Sequence, residues 1–124
     1  MTSSATTEAV QRGDVVIIAD RQAEFAGKPR PAIVLQSSHF ADTTTVTVCP
    51  LTSQAIDDAP LLRIALAASA ATGLDVDSWA QIDRLTTLRR SHIRQRIGRL
   101  DSATMFEISQ AVLVFLGIAD AAGH

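Results

Sequence analysis

Thr44-Thr45-Val46-Thr47-Val48-Cys49 alternates hydroxyl and apolar side chains, with Val46 and Val48 on one face and Thr45 and Thr47 on the other. A period of two residues belongs to a half-buried strand, so this stretch sets the reading of the whole chain as β-rich. Upstream, the polar link from Ser37 to Thr43 suits a hairpin-like return to a second apolar run, Ala32-Ile33-Val34-Leu35-Gln36. Further back, Asp14-Val15-Val16-Ile17-Ile18-Ala19, opened by Gly13, is β-branched without alternation and predicts a strand buried on both faces. Residues 20–31 hold Gly27, Pro29 and Pro31 amid mixed charge and read as an exposed loop, of a length that often carries function.

Downstream, Leu61 to Leu66 and Ser78 to Ile82 predict two more strands around a turn at Gly73, although Ala65 to Ala71 is equally open to a helical fragment. Arg96-Ile97-Gly98-Arg99-Leu100 reads as a last short strand. Then the period lengthens. Asp101 can cap a helix in which Met105, Ile108, Val112, Phe115 and Leu116 recur at helical spacing before Gly117 ends it. The sum is a mainly β (α+β) domain, a small antiparallel sheet covered by one C-terminal amphipathic helix. Residues 1–11, small and polar, are expected to be a disordered tail, residues 12–118 the domain, and residues 119–124 a short C-terminal tail.

With 124 residues, 47% of them apolar and 19% charged, one core is expected and no second domain. The lone Cys49 cannot form an internal disulfide, and one cysteine with three histidines does not readily build a closed zinc site. No apolar run reaches the roughly 18 residues that span a bilayer, and the opening Met1-Thr2-Ser3-Ser4 lacks the features of a signal peptide. A cytoplasmic protein outside the membrane is expected. The net charge of -2 argues against coating nucleic acid by bulk electrostatics, yet Arg84, Arg89, Arg90, Arg94, Arg96 and Arg99 fall within sixteen residues. That cluster either follows a phosphate backbone or forms a solvated face.

Three segments hold the chemistry. In Lys28-Pro29-Arg30-Pro31 the prolines keep the backbone extended, so the Arg30 guanidinium projects from a stiff stem at a strand mouth. It suits a phosphate, or else pairs with Asp20 or Glu24. In Cys49-Pro50-Leu51-Thr52-Ser53, Pro50 is expected to stop the ladder and leave two hydroxyls near a strand end, either as phosphate contacts or as ordinary turn residues. Cys49 reads as a core thiol. In Trp79-Ala80-Gln81-Ile82-Asp83-Arg84, Asp83 either acts as a base or pairs with an arginine, and Trp79 either stacks on a base or joins the core. His39 and His92 stand alone, and no glycine-rich phosphate loop, serine elbow or helical metal-ligand pair occurs.

Taken together, Gly13-Asp14-Val15-Val16, Arg30-Pro31-Ala32-Ile33-Val34-Leu35 and Cys49-Pro50-Leu51-Thr52-Ser53 resemble the MazF/PemK toxins of toxin–antitoxin systems in order and distance. Asp83-Arg84-Leu85-Thr86-Thr87-Leu88 sits where that family carries an Asp-Gln-hydrophobic segment, and Arg96 to Asp101 resembles its final strand running into the C-terminal helix. About residues 11 to 118 are covered. The resemblance implies an SH3-like antiparallel barrel, a homodimer, a cognate antitoxin laying an acidic segment across a basic groove, and sequence-selective cleavage of single-stranded RNA with no metal or cofactor. It implies Arg30, Thr52 and Asp83 as catalytic residues, and Lys28, Ser53, Gln81, Arg84 and Arg89 as substrate-binding residues.

In the implied reaction the ribose 2′-hydroxyl attacks the adjacent phosphorus, giving a 2′,3′-cyclic phosphate and a free 5′-hydroxyl, which DNA cannot do. Arg30 would neutralise the phosphorane, Thr52 would hold a non-bridging oxygen, and Ser53 would assist. Some members carry Arg-X-Asp where this chain has Gln81-Ile82-Asp83, so the acid–base assignment stays open among Arg30, Thr52 and Asp83. Arg84 in place of the family glutamine implies a different substrate preference. The loop from Asp20 to Pro29 resembles the mobile segment over the family's RNA site. Two other classes compete: a gyrase-binding toxin of the CcdB type and a catalytically silent binding module. Arg30 with Thr52 favours the nuclease, and the small tail from Ala119 to His124 gives no sign of a gyrase site.

Overall fold

The computed structural model describes residues 10–19, 28–54 and 60–120. The apolar runs form β1 (Asp14–Ile18), β2 (Arg30–Val34), β3 (Thr45–Thr52), β4 (Arg63–Leu66), β5 (Ser78–Gln81), β6 (Thr86–Arg89) and β7 (Ile93–Arg99), followed by α1 (Ser102–Phe115). All the strand pairs are antiparallel. The order is β4-β5-β3-β2-β1-β7, with β6 also on β3, so the expected barrel is instead a sheet that does not close.

Two expectations give way. Thr86 to Arg89 is a strand that sequence patterning missed, and β3 runs through Pro50 to Thr52, where the ladder was expected to stop. The Leu35 amide donates to the Thr47 carbonyl, so by alternation Ala32↔Pro50 is a pair of the non-hydrogen-bonded kind and Pro50 turns its nitrogen away from β2. On that other side β6 pairs residues 45–48 and β5 pairs residues 51–52. Pro50 falls in the gap between them, where no N–H is required. The 65–71 stretch is not helical: β4 ends at Leu66, and a turn follows whose Ser69↔Leu74 bridge brackets Gly73.

That turn crosses β7 backbone to backbone. A Cβ on Gly73, whose φ is +74°, would lie 2.0 Å from the Ile97 carbonyl oxygen, and one on Gly98 would lie 2.2 Å from the Thr72 carbonyl. Only glycines permit this approach. The Arg99 amide then donates to the Ala71 carbonyl at 2.9 Å, fastening the turn to β7. The β1–β7 register shifts twice, and such bulges, with Arg94 and Arg96 exposed, blunt β7 as an edge for further pairing.

Each face of the sheet buries its own cluster. Val15, Ile33, Cys49, Leu51, Ala80 and Ile82 pack under α1 with Met105 and Ile108, while Val16, Ile18, Ala32, Val34, Val46 and Val48 pack on the other side. β1 feeds both, as its unbroken apolar run predicts. Val10, grouped with the tail by its composition, is buried in the second cluster, so the ordered domain starts before residue 12. Residues 1–9 and 121–124 lie outside the described residues.

Asp101 caps α1 by accepting from the Thr104 amide at 2.8 Å. Hydrogen bonds from the Thr104 side chain and amide hold its carboxyl below the usual aspartate range. Gly117 follows with φ +79°. The helix departs from a simple amphipathic pattern, since only Met105 and Ile108 are buried. Phe115 and Leu116, assigned by spacing to the buried stripe, are exposed together with Phe106 and Ile118.

Candidate active site

Arg30 opens β2 and Thr52 closes β3. The β2–β3 register, extended two residues past Ala32↔Pro50, sets the two opposite each other, and both line one cleft of about 490 Å³ at this end of the sheet. Lys28 and Ser53 line it too. The Gln54 amide donates to Thr52 Oγ1 at 3.2 Å, so the hydroxyl oxygen is held and its own proton is left to donate outward. Arg30 is half-buried, which keeps its charge out of bulk water. Such a cleft can hold a phosphodiester, with a permanent cation and a hydroxyl donor meeting its oxygens.

The remaining sequence candidates do not line this cleft. Asp83 pairs with Arg63 at 2.5 Å, the Arg63 side chain being only 7% exposed, so the arginine-pair alternative is the one seen. Gln81 is the cross-strand neighbour of Arg63, and Arg84 lies in the short 3-10 turn after it. Arg89 pairs with Thr45, which is seven residues along β3 from Thr52 and about 23 Å away for an extended strand. Trp79 is half-buried opposite Thr52 and Ala65. Asp20 and Glu24, the alternative partners of Arg30, and most of the loop likened to a mobile lid lie outside the described residues.

Much of the arginine cluster is structural. Asp14, 2% exposed, accepts from Arg99 at 2.6 Å and from Arg96 at 3.0 Å, and from the Gln11 amide at 2.7 Å. Arg90 ties the Phe40–Thr43 turn through both carbonyls. A larger hollow, about 720 Å³, lies where α1 begins, but its cations are already engaged. Arg12 donates to the Leu35 carbonyl and Ser109 Oγ, and Arg99 serves Asp14. Burial pushes the Cys49 thiol up to about 12, so it remains protonated and unreactive. Among the described residues no three His, Cys, Asp or Glu side chains converge to hold a metal ion.

The sequence reading missed one wall of the cleft. Gly73, Leu74, Asp75, Val76 and Ser78 form it, delivered by the turn that crosses β7. No local motif announces this, because the wall is placed by the Gly73–Gly98 crossing between distant parts of the chain.

Residues 11–116 match a family profile described as PemK-like, MazF-like toxin of type II toxin-antitoxin system. The chain is 46% identical over 110 residues to a probable endoribonuclease MazF of Mycolicibacterium smegmatis, spanning 89% of this chain and 99% of that one. It is 26% identical over 117 residues to endoribonuclease MazF9 of Mycobacterium tuberculosis, spanning 88% and 98% respectively. Among solved structures it shares its fold, at TM-score 0.70 and 20% identity, with a mycobacterial endoribonuclease in complex with its cognate antitoxin, over 90% of this chain and 96% of that one. A MazE–MazF structure from Deinococcus radiodurans gives TM-score 0.70 at 21% identity, over 89% and 97%.

Proposed function

The chain belongs to the PemK-like, MazF-like toxins of type II toxin–antitoxin systems, and from that membership we propose that it is an endoribonuclease cutting single-stranded RNA in the Arg30–Thr52 cleft. The observation that carries this reading is that a half-buried arginine and a threonine hydroxyl, from two strands, line one cavity. The ribose 2′-oxygen forms a bond to phosphorus as the 5′-oxygen leaves, giving a 2′,3′-cyclic phosphate and a 5′-hydroxyl end. Arg30 takes up the charge of the phosphorane and Thr52 donates to a non-bridging oxygen. Lys28 and Ser53 grip the flanking strand. Relatives named as endoribonucleases favour this over gyrase binding or a silent module. Purified protein in excess EDTA is expected to cut a mixed single-stranded RNA and leave cyclic phosphate ends. Failure to cut, or cutting only with added divalent ions, overturns the reading.

The working form is a cytoplasmic homodimer restrained by a cognate antitoxin. Support for the dimer is α1, whose Phe106, Phe115 and Leu116, with Ile118 just beyond, are 66%, 43%, 55% and 69% exposed. A helix apolar on more than one side needs a cover, and a second copy supplies an equally apolar one. Light scattering at micromolar concentration is expected to return twice the 13.2 kDa chain mass, and Phe106→Glu with Leu116→Glu to return the single mass. A wild-type monomer would reject this assembly. Among the described residues no helix is long and apolar enough to cross a membrane.

A further inference from the structure

We propose that Asp75 is the general base that removes the 2′-hydroxyl proton in this cleft, an inference that rests on the RNA-cleaving reading above. Attack by a neutral hydroxyl on a phosphodiester needs a group to take its proton; the charged Arg30 and Lys28 have no acceptor, and the hydroxyls of Thr52 and Ser53 are too weakly basic to hold it. Among the described residues lining the cleft, Asp75 is the one carboxylate, and no histidine joins it.

The turn that carries Asp75 is built to present it. Gly73 is clamped against Ile97, and Asp77, two residues on, spends its carboxylate on the Ala68 amide at 2.8 Å. Asp75 makes no side-chain hydrogen bond or ion pair among the described residues and is exposed to the cleft. Asp83, the carboxylate that the sequence suggests, is instead occupied by Arg63. In the step, the O2′–H bond breaks toward an Asp75 carboxylate oxygen while the O2′–P bond forms. The P–O5′ bond breaks with its electron pair on O5′, which takes a proton from solvent, and Asp75 later returns its proton to water.

The test compares wild type, Asp75→Asn and Asp75→Glu in single-turnover cleavage across pH, alongside binding of a 2′-deoxy copy of a cleaved oligonucleotide. Asp75→Asn is expected to lower the rate about 10²–10⁴-fold, to remove the acid limb of the pH–rate profile, and to leave deoxy-oligonucleotide affinity unchanged. Asp75→Glu should restore part of the rate and the limb. Because the side chain has no partner among the described residues, both variants should melt with wild type. An Asn variant that keeps the wild-type rate, or that slows while retaining the acid limb, overturns the assignment. Wild type that cuts nothing overturns the RNA-cleaving reading and this inference with it.

Discussion

Arg30→Ala is expected to lower RNA cleavage by about 10³-fold or more while the protein still folds and melts near the wild-type temperature. Its guanidinium stands at the mouth of β2, in register with Thr52, where developing negative charge on phosphorus would sit. Arg30→Lys should recover only a fraction of the rate, because an ammonium keeps the charge but loses the planar fork that meets two phosphate oxygens at once. Single-turnover rates with a thermal melt of each variant decide the matter. Full activity in the alanine variant would remove Arg30 from the chemistry, and with it the proposed mechanism.

The second large effect is on stability and concerns the backbone crossing. Gly73→Ala must both hold a left-handed backbone and push a methyl group against the Ile97 carbonyl, at an expected cost of about 2–5 kcal/mol. Gly98→Ala keeps an ordinary backbone but meets the Thr72 carbonyl at 2.2 Å and the Ala71 carbonyl oxygen at 2.5 Å, so about 1–3 kcal/mol is expected. Gly117 is the internal control. It shares the positive φ but has nothing within 4 Å of the added carbon, so alanine there should cost about 1–2 kcal/mol. Urea unfolding midpoints rank the three, and folded Gly73→Ala should also lose cleavage because its turn carries Asp75. If Gly73→Ala proved no less stable than Gly117→Ala, the close crossing would be wrong.

The elements whose own residues determine them were legible in the sequence. The unbroken run in β1 announced burial on both faces, and Asp101 and Gly117 marked the two ends of α1 through local capping chemistry. What sequence missed depends on partners far along the chain. β6 reads Thr86-Thr87-Leu88-Arg89 and offers one buried side chain, Leu88; it becomes a strand because β3 supplies the facing rungs. Pro50 is tolerated because two neighbouring strands leave a gap beside it, a fact of topology.

The same division holds at the site. Arg30 and Thr52 stood out through resemblance, and their meeting is a matter of register that neither segment states alone. The charge cluster from Arg84 to Arg99 looked like one basic surface, yet the structure spends Arg96 and Arg99 on a buried aspartate and Arg90 on a turn. Asp75 carried no signal because nothing near it in sequence marks it as lining the cleft that holds Thr52.

The β7 clamp also bears on biosynthesis. The cleft wall bearing Asp75 is fixed only when residues 97 and 98 arrive beneath it, so a nascent chain that has emerged through β5 holds the arginine and the hydroxyl without their third wall. A blade that waits for the last of seven strands stays unassembled for most of the chain's synthesis.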